Sequence, residues 1–152
     1  MKNNKKEEYI MKKIVFGADH AGYLYKNELV KMFTQMGYEC VDMGTNSDAS
    51  VDYPEYAGKV CEAVNADADF GILVCGTGIG MSIAANKHRG IRAALCGDTV
   101  SAKFTRLHNN ANVLCMGARI IGISTAEEIA KIFIGTEFEG GRHQHRIDML
   151  EK

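Results

Sequence analysis

The chain has 152 residues, with five cysteines, sixteen glycines, one proline and no tryptophan. Its hydrophobic fraction of 46% and charged fraction of 24% exclude a disordered chain, and no run of about 18 uncharged apolar residues offers a membrane-spanning helix. A formal net charge of −1 gives no global field that would favour nucleic acid or an anionic membrane as partner.

Residues 1–11, beginning MKNNKKEEYI, read as a charged extension with no apolar core, so they do not form a secretory signal. Residues 12–152 suit one domain. The cysteines are Cys40, Cys61, Cys75, Cys96 and Cys115, and no CxxC pair occurs among them. That excludes a local zinc knuckle or dithiol and points to a reduced, cytoplasmic protein.

From Lys12 a short apolar run, a turn and an amphipathic segment alternate. Ile14-Val15-Phe16 is the first strand candidate. A helix over Tyr23–Met36 follows, with Leu24, Leu29, Phe33 and Met36 as its apolar stripe. Cys40-Val41 is the second strand. Pro54–Ala66 forms the next helix through Ala57, Val60, Cys61 and Val64, with Pro54 in the first turn, where proline is tolerated. Phe70–Val74 is the third strand and Ile91–Leu95 the fourth. Asp98 caps a helix running through Val100, Phe104 and Leu107. Val113–Met116 is the fifth strand. Ser124-Thr125-Ala126-Glu127 has the form of a capping box before Ile129, Ile132 and Phe133. A helical pattern near His145–Glu151 ends the chain. Strands apolar on both faces that alternate with helices predict an α/β three-layer sandwich with a five-stranded, mostly parallel sheet.

Such folds carry their chemistry in loops at the carboxyl ends of strands. After the third strand comes Cys75-Gly76-Thr77-Gly78-Ile79-Gly80. Alternating glycines let backbone N–H groups converge on an anion, and the following helix adds its dipole. Met81 breaks the dinucleotide fingerprint, and no Gly-Lys-Ser/Thr follows for a Walker loop. A thiol at a helix N-terminus, as Cys75 is here, suits a base or nucleophile; the competing reading is an inert core cysteine. Asp19 and His20 stand after the first strand, where Asp19 equally fits a helix cap and His20 a surface residue. His108 follows the fourth helix as a candidate acid/base, with Asn109, Asn110 and Asn112 as turn residues beside it. Arg142 and Arg146 at i,i+4 share a helix face and suit a phosphate. His143 and His145 at i,i+2 point apart, so no local metal pair is expected. Together these parts suit proton transfer on a small phosphorylated sugar.

The stretches GADHAG (17–22), DYPEYA (52–57), CGTGIGMSIAANK (75–87), GIRAAL (90–95), HNNANVL (108–114) and GGRHQHR (140–146) resemble the ribose/galactose isomerase family, in order, from Met11 to the C-terminus. The resemblance implies a Rossmann-like α/β/α fold and metal-independent, cofactor-free interconversion of ribose 5-phosphate and ribulose 5-phosphate through a cis-enediolate, a step of pentose phosphate metabolism. It implies Cys75 as the base, with Gly76, Thr77, Gly78 and Gly80 holding the oxyanion. It assigns ring opening to His108 aided by Asp19, phosphate binding to Arg142 and Arg146 with Arg119 and His20 as helpers, and sugar contacts to Tyr53 and Asn109. One branch of the family carries a glutamate base where Met81 stands, so Cys75 marks the other branch. The resemblance also implies a homodimer or tetramer whose sites combine two subunits. Relatives acting on allose 6-phosphate or galactose 6-phosphate define the alternative activity, and a noncatalytic phosphosugar-binding module is the alternative from another class.

Overall fold

A computed structural model describes residues 11–151. Apart from Met11, the expected N-terminal extension lies outside the described residues. The elements are β1 (Lys13–Ala18), α1 (Tyr23–Gln35), β2 (Glu39–Asp42), α2 (Tyr53–Ala66), β3 (Phe70–Cys75), α3 (Ile79–Asn86), β4 (Ala93–Leu95), α4 (Thr99–Asn109), β5 (Val113–Gly117), α5 (Ile123–Gly135) and α6 (Arg142–Leu150). The five strands form one sheet in the order β2-β1-β3-β5-β4, and every pairing is parallel.

Side chains alternate across the sheet, and each set builds its own core. Ile14, Phe16, Ile72, Val74, Leu114 and Met116 meet Leu29 and Phe33 of α1, Ala102 of α4, and Ile129 and Phe133 of α5. Val15, Leu73, Cys75, Val113 and Cys115 meet Val60 and Cys61 of α2 and Met81 and Ala85 of α3. The result is the three-layer sandwich that alternating strands and helices predict. The order of the sheet does the positioning. From β1 the chain goes to β2 on one side and, by way of α2, to β3 on the other. The loops after β1 and β3 therefore part and leave a crevice at their carboxyl ends.

Several sequence expectations are corrected. The stripe of α1 is Lys26, Leu29 and Phe33, while Leu24 is 62% exposed and Met36 also faces outward. The inner residues of α4 are Ala102 and Arg106, leaving Val100 and Phe104 exposed. β2 is an edge strand with both ends exposed, not a strand buried on both faces. The fourth strand starts at Ala93, because Arg92 is engaged by Asn112: the Arg92 N–H donates to the Asn112 side-chain oxygen, and the Asn112 N–H donates to the Arg92 carbonyl. Ser124 makes no capping box: α5 begins at Ile123 with Gly122 as N-cap, so Ser124 already lies in the first turn. The last helix begins at Arg142, one turn before the expected start. Asp98 does cap α4, accepting the Ser101 N–H at 2.6 Å, and Pro54 does sit in the first turn of α2.

Among the described residues, Lys26 and Arg106 are buried cations. Lys26 lies with no exposed surface, its Nζ 2.6 Å from Asp42 Oδ2, 2.7 Å from the side-chain Oδ1 of Asn46 and 2.9 Å from that of Asn27. These bonds tie α1 to the end of β2 and to the loop beyond it. Arg106 donates to the carbonyls of Ala111 and Thr136 and lies 4.9 Å from the centre of the Phe70 ring. Removing one partner of a buried ion pair leaves the other uncompensated. Lys26→Met is expected to lower unfolding free energy by about 3 kcal/mol in urea titration, the lower end for a buried pair because Asp42 keeps some solvent. A loss below about 1 kcal/mol, the scale of an exposed pair, would contradict the structural role of this lysine.

Candidate active site

Cys75 is the last residue of β3 and is 5% exposed. The Gly78 N–H points at its sulfur at 3.1 Å. That donor stands at the start of α3 and meets the sulfur directly. Burial raises the pKa of Cys40, Cys96 and Cys115, and pushes Cys61 up to about 11 with a smaller contribution from Glu62. Those four are protonated, inert side chains at neutral pH.

The loop leaves no room for a side chain at position 78. Gly78 has φ +78°, and a Cβ there would come within 2.6 Å of Leu95 and 2.8 Å of the Met116 backbone. This geometry turns the chain from β3 into α3 within three residues and aims the Gly78 amide back at Cys75. The neighbouring glycines each support a side chain: the Arg119 guanidinium packs on Gly76, and the Tyr53 ring lies against Gly80. The backbone N–H of Arg119 donates to the Gly76 carbonyl at 2.9 Å, which fixes the residue beside this glycine. Thr77 is exposed at the lip, and its hydroxyl accepts the Ile79 N–H at 3.3 Å.

The loop after β1 completes this end. Asp19 is 7% exposed and accepts the N–H groups of Ala21 at 2.9 Å and Gly22 at 3.2 Å. It therefore braces its own loop and does not cap α1, whose N-cap is Gly22. His20 accepts the Val51 N–H on Nδ1 at 3.2 Å, which leaves Nε2 to carry a proton. Met81 is fully buried between α2 and α3, so position 81 presents no base. Beside Thr77 an apolar hollow of about 260 Å3 is lined by Ile79, Leu95, Cys96, Gly117 and Ile120.

The remaining predicted residues stand at the other end of the sheet. α4 runs back from the end of β4 toward the start of β5, so His108 and Asn109 lie beside the amino ends of these strands. Arg92, at the start of β4, donates to the Asn109 and Asn110 carbonyls and to Glu151 just past α6. Arg142 and Arg146 are on α6 at this same end, exposed and without an acidic partner among the described residues. One chain thus does not bring His108, Asn109, Arg142 or Arg146 to Cys75, and does not bring His108 to Asp19. Asn110 and Asn112 are turn residues: Asn110 ends α4 with φ +45°, and Asn112 braces Arg92 and Gly90. A larger cavity, about 690 Å3, also lies at this end, against Arg89, Arg92 and Asn109 and away from the thiol.

One group at this end escaped the sequence. Glu139 sits between His108 and His143, 3.8 Å and 4.0 Å from their Nε2 atoms, and the two rings stack with centres 4.3 Å apart. Burial, followed by the nearby charges of His108, Arg142 and Arg146 and opposed by Glu139, holds His143 below the ordinary histidine pKa. The only signal for Glu139 is its place immediately before GGRHQHR; its meeting with His108 depends on the Glu139 N–H bond to the Leu107 carbonyl.

Comparison with known proteins agrees with this architecture. The ribose/galactose isomerase family model matches residues 14–150. Ribose-5-phosphate isomerase B of Escherichia coli is 48% identical, with 92% of this chain and 95% of that protein covered. The structure of ribose-5-phosphate isomerase B from Clostridium thermocellum superposes with a TM-score of 0.90 at 46% identity, covering 91% of this chain and 95% of that one. The enzyme of the same name from Mycoplasma genitalium, solved with bound ribulose 5-phosphate, superposes with a TM-score of 0.88 at 42% identity, covering 91% and 93%. The chain belongs to the ribose/galactose isomerase family.

The packing at position 78 yields a direct expectation. Gly78→Ala places a Cβ against Leu95 and the Met116 backbone in a left-handed conformation, a combination worth about 2–4 kcal/mol of lost stability. Chemical denaturation measures it, and a variant as stable as the parent would show that the loop has slack.

Proposed function

We propose that this chain interconverts ribose 5-phosphate and ribulose 5-phosphate, with Cys75 as the base and with the catalytic site completed by a second copy of the chain. The observation that carries the chemistry is the Gly78 N–H aimed at the Cys75 sulfur beside a glycine-walled cradle at the β1/β3 crevice. The named activity of the Escherichia coli relative and the ribulose 5-phosphate held by the Mycoplasma genitalium relative supply the substrate.

A proton alpha to a carbonyl is weakly acidic, so catalysis needs a nearby base and stabilisation of the enediolate oxygen. In the forward direction the Cys75 thiolate takes the proton from C2 of the open-chain aldose and returns it to C1. The negative charge that develops on oxygen is met by backbone N–H groups of Gly76–Gly80 and by the Thr77 hydroxyl. His108 moves the proton that opens the furanose ring, with Asp19 of the facing subunit as its helper. Arg142 and Arg146 grip the phosphate, joined by Arg119 and His20 across the interface, while Tyr53 and Asn109 contact the sugar. The phosphate does not react, so its binding energy serves to position C1 and C2.

Assembly of a homo-oligomer follows from the split of these residues between the two ends of one sheet. Two copies facing each other place the His108–Arg146 end of one against the Cys75 end of the other. The surface around Cys75 supports that contact: Ile79, Ile83, Leu95, Val100 and Ile120 are exposed apolar side chains on or beside α3, β4, the start of α4 and the loop after β5. Such a concentration is uncommon on a surface that stays in water. No helix among the described residues is long and apolar enough to cross a membrane, so this patch does not mark a span.

Three outcomes test the proposal. Ribose 5-phosphate incubated with the protein and excess chelator is expected to yield ribulose 5-phosphate; binding without turnover would make the chain a sugar-phosphate receptor instead. Cys75→Ala should lower kcat by about 10²–10⁴ with little change in KM, and near-parental turnover would remove the thiol from the mechanism. Arg142→Ala should chiefly raise KM, and unchanged KM and kcat together would take this arginine out of the phosphate grip.

A further inference from the structure

The most unusual polar feature outside the Cys75 loop is the cluster of His108, Glu139 and His143. Its three donor atoms lie within 4.8 Å of one another. The Nε2 of His143 is buried, faces this cluster and has no hydrogen-bond partner among the described residues. His143 as a whole is 6% exposed. A buried polar atom left unpaired costs free energy unless something outside the chain satisfies it. Two imidazoles and one carboxylate form a donor set for zinc-type ions, and the set is too poor in oxygen for calcium or magnesium.

We propose that His108, Glu139 and His143 form an inhibitory binding site for a divalent transition-metal ion of the zinc class. Tetrahedral bonds of about 2.0–2.1 Å would place the donor atoms about 3.3 Å apart, so the cluster closes by a small movement. That movement falls to the accessible partners. The His108 and Glu139 side chains are partly exposed, and they swing toward the fixed His143. The two rings are stacked within 15° of parallel, so His108 must turn about its own axis until both nitrogen lone pairs converge. The fourth position stays open to water. An ion bound through His108 Nε2 occupies the atom that would move the ring-opening proton, so isomerisation slows; this inhibitory part rests on the His108 role proposed above.

Calorimetric titration of the full chain with zinc chloride tests the site without reference to activity. One ion per chain is expected, with no heat from magnesium. Glu139→Gln should weaken zinc binding by at least about tenfold, whereas Cys75→Ala should bind as the parent does. His143→Gln should weaken it similarly, and thermal melts of both variants verify that they are folded. Cobalt supplies a spectroscopic signature: tetrahedral visible bands without the intense near-ultraviolet band of thiolate ligation. No zinc binding by the parent, or binding lost in Cys75→Ala and kept in Glu139→Gln, would overturn the site. Zinc binding at this cluster with unchanged isomerisation would overturn the inhibitory role and, separately, the assignment of His108.

Discussion

The structure depends on the turn from β3 into α3. The chain must leave a buried parallel strand, reverse, and begin a helix within the residues Cys75–Ile79, between the ends of β1 and β5. Position 78 can be filled only by glycine, because Leu95 and the Met116 backbone occupy the space of any side chain. Once that packing is met, the Gly78 amide has to face the Cys75 sulfur. The same geometry leaves Gly76 bare for the Arg119 guanidinium and Gly80 bare for the Tyr53 ring. A constraint of packing thus produces a thiol, an N–H donor, a cation and an aromatic wall in one crevice.

The strand order decides what else can reach that crevice. Because β1 is flanked by β2 and β3, Asp19 and His20 leave β1 at the point where its loop diverges from the Cys75 loop. Asp19 is committed to the amides of Ala21 and Gly22, so its carboxylate is fixed before any substrate arrives. Preorganised groups of this kind avoid reorganisation at the moment of reaction. α4 carries His108 and Asn109 the full length of the sheet to the opposite end, where α6 presents Arg142 and Arg146. The chain therefore holds two incomplete halves of the proposed site, and the exposed apolar side chains beside the Cys75 half give a second copy a surface on which to dock.

Much of this was legible in the sequence. Apolar runs with Gly or Asp at their borders located all five strands, and the glycine alternation after Cys75 marked the crevice. Features that depend on distant partners were not legible. Lys26 and Arg106 carry no local signal of burial, yet each is buried among partners supplied by other elements. Val100 and Phe104 sit at helical spacing and read as core, but Ala102 and Arg106 face inward instead. Ser124 and Glu127 have the spacing of a capping box, yet the helix has already started at Ile123. The trio of His108, Glu139 and His143 has no local signature, because a turn after α5 and the start of α6 bring it together. The separation of Cys75 from His108 is likewise a property of helix direction, which spacing along the chain does not encode.

The central claim is that a catalytic site is assembled from the Cys75 end of one copy and the His108 end of another. The most direct measurement mixes two inactive variants, Cys75→Ala and His108→Asn, under conditions that allow subunits to exchange. In a mixed dimer one of the two sites would inherit both intact residues. Equal amounts exchanged at random should therefore recover about one quarter of the parental isomerase activity. A mixture that exchanges subunits and stays inactive would contradict the account, since it would mean that Cys75 and His108 must act from the same chain.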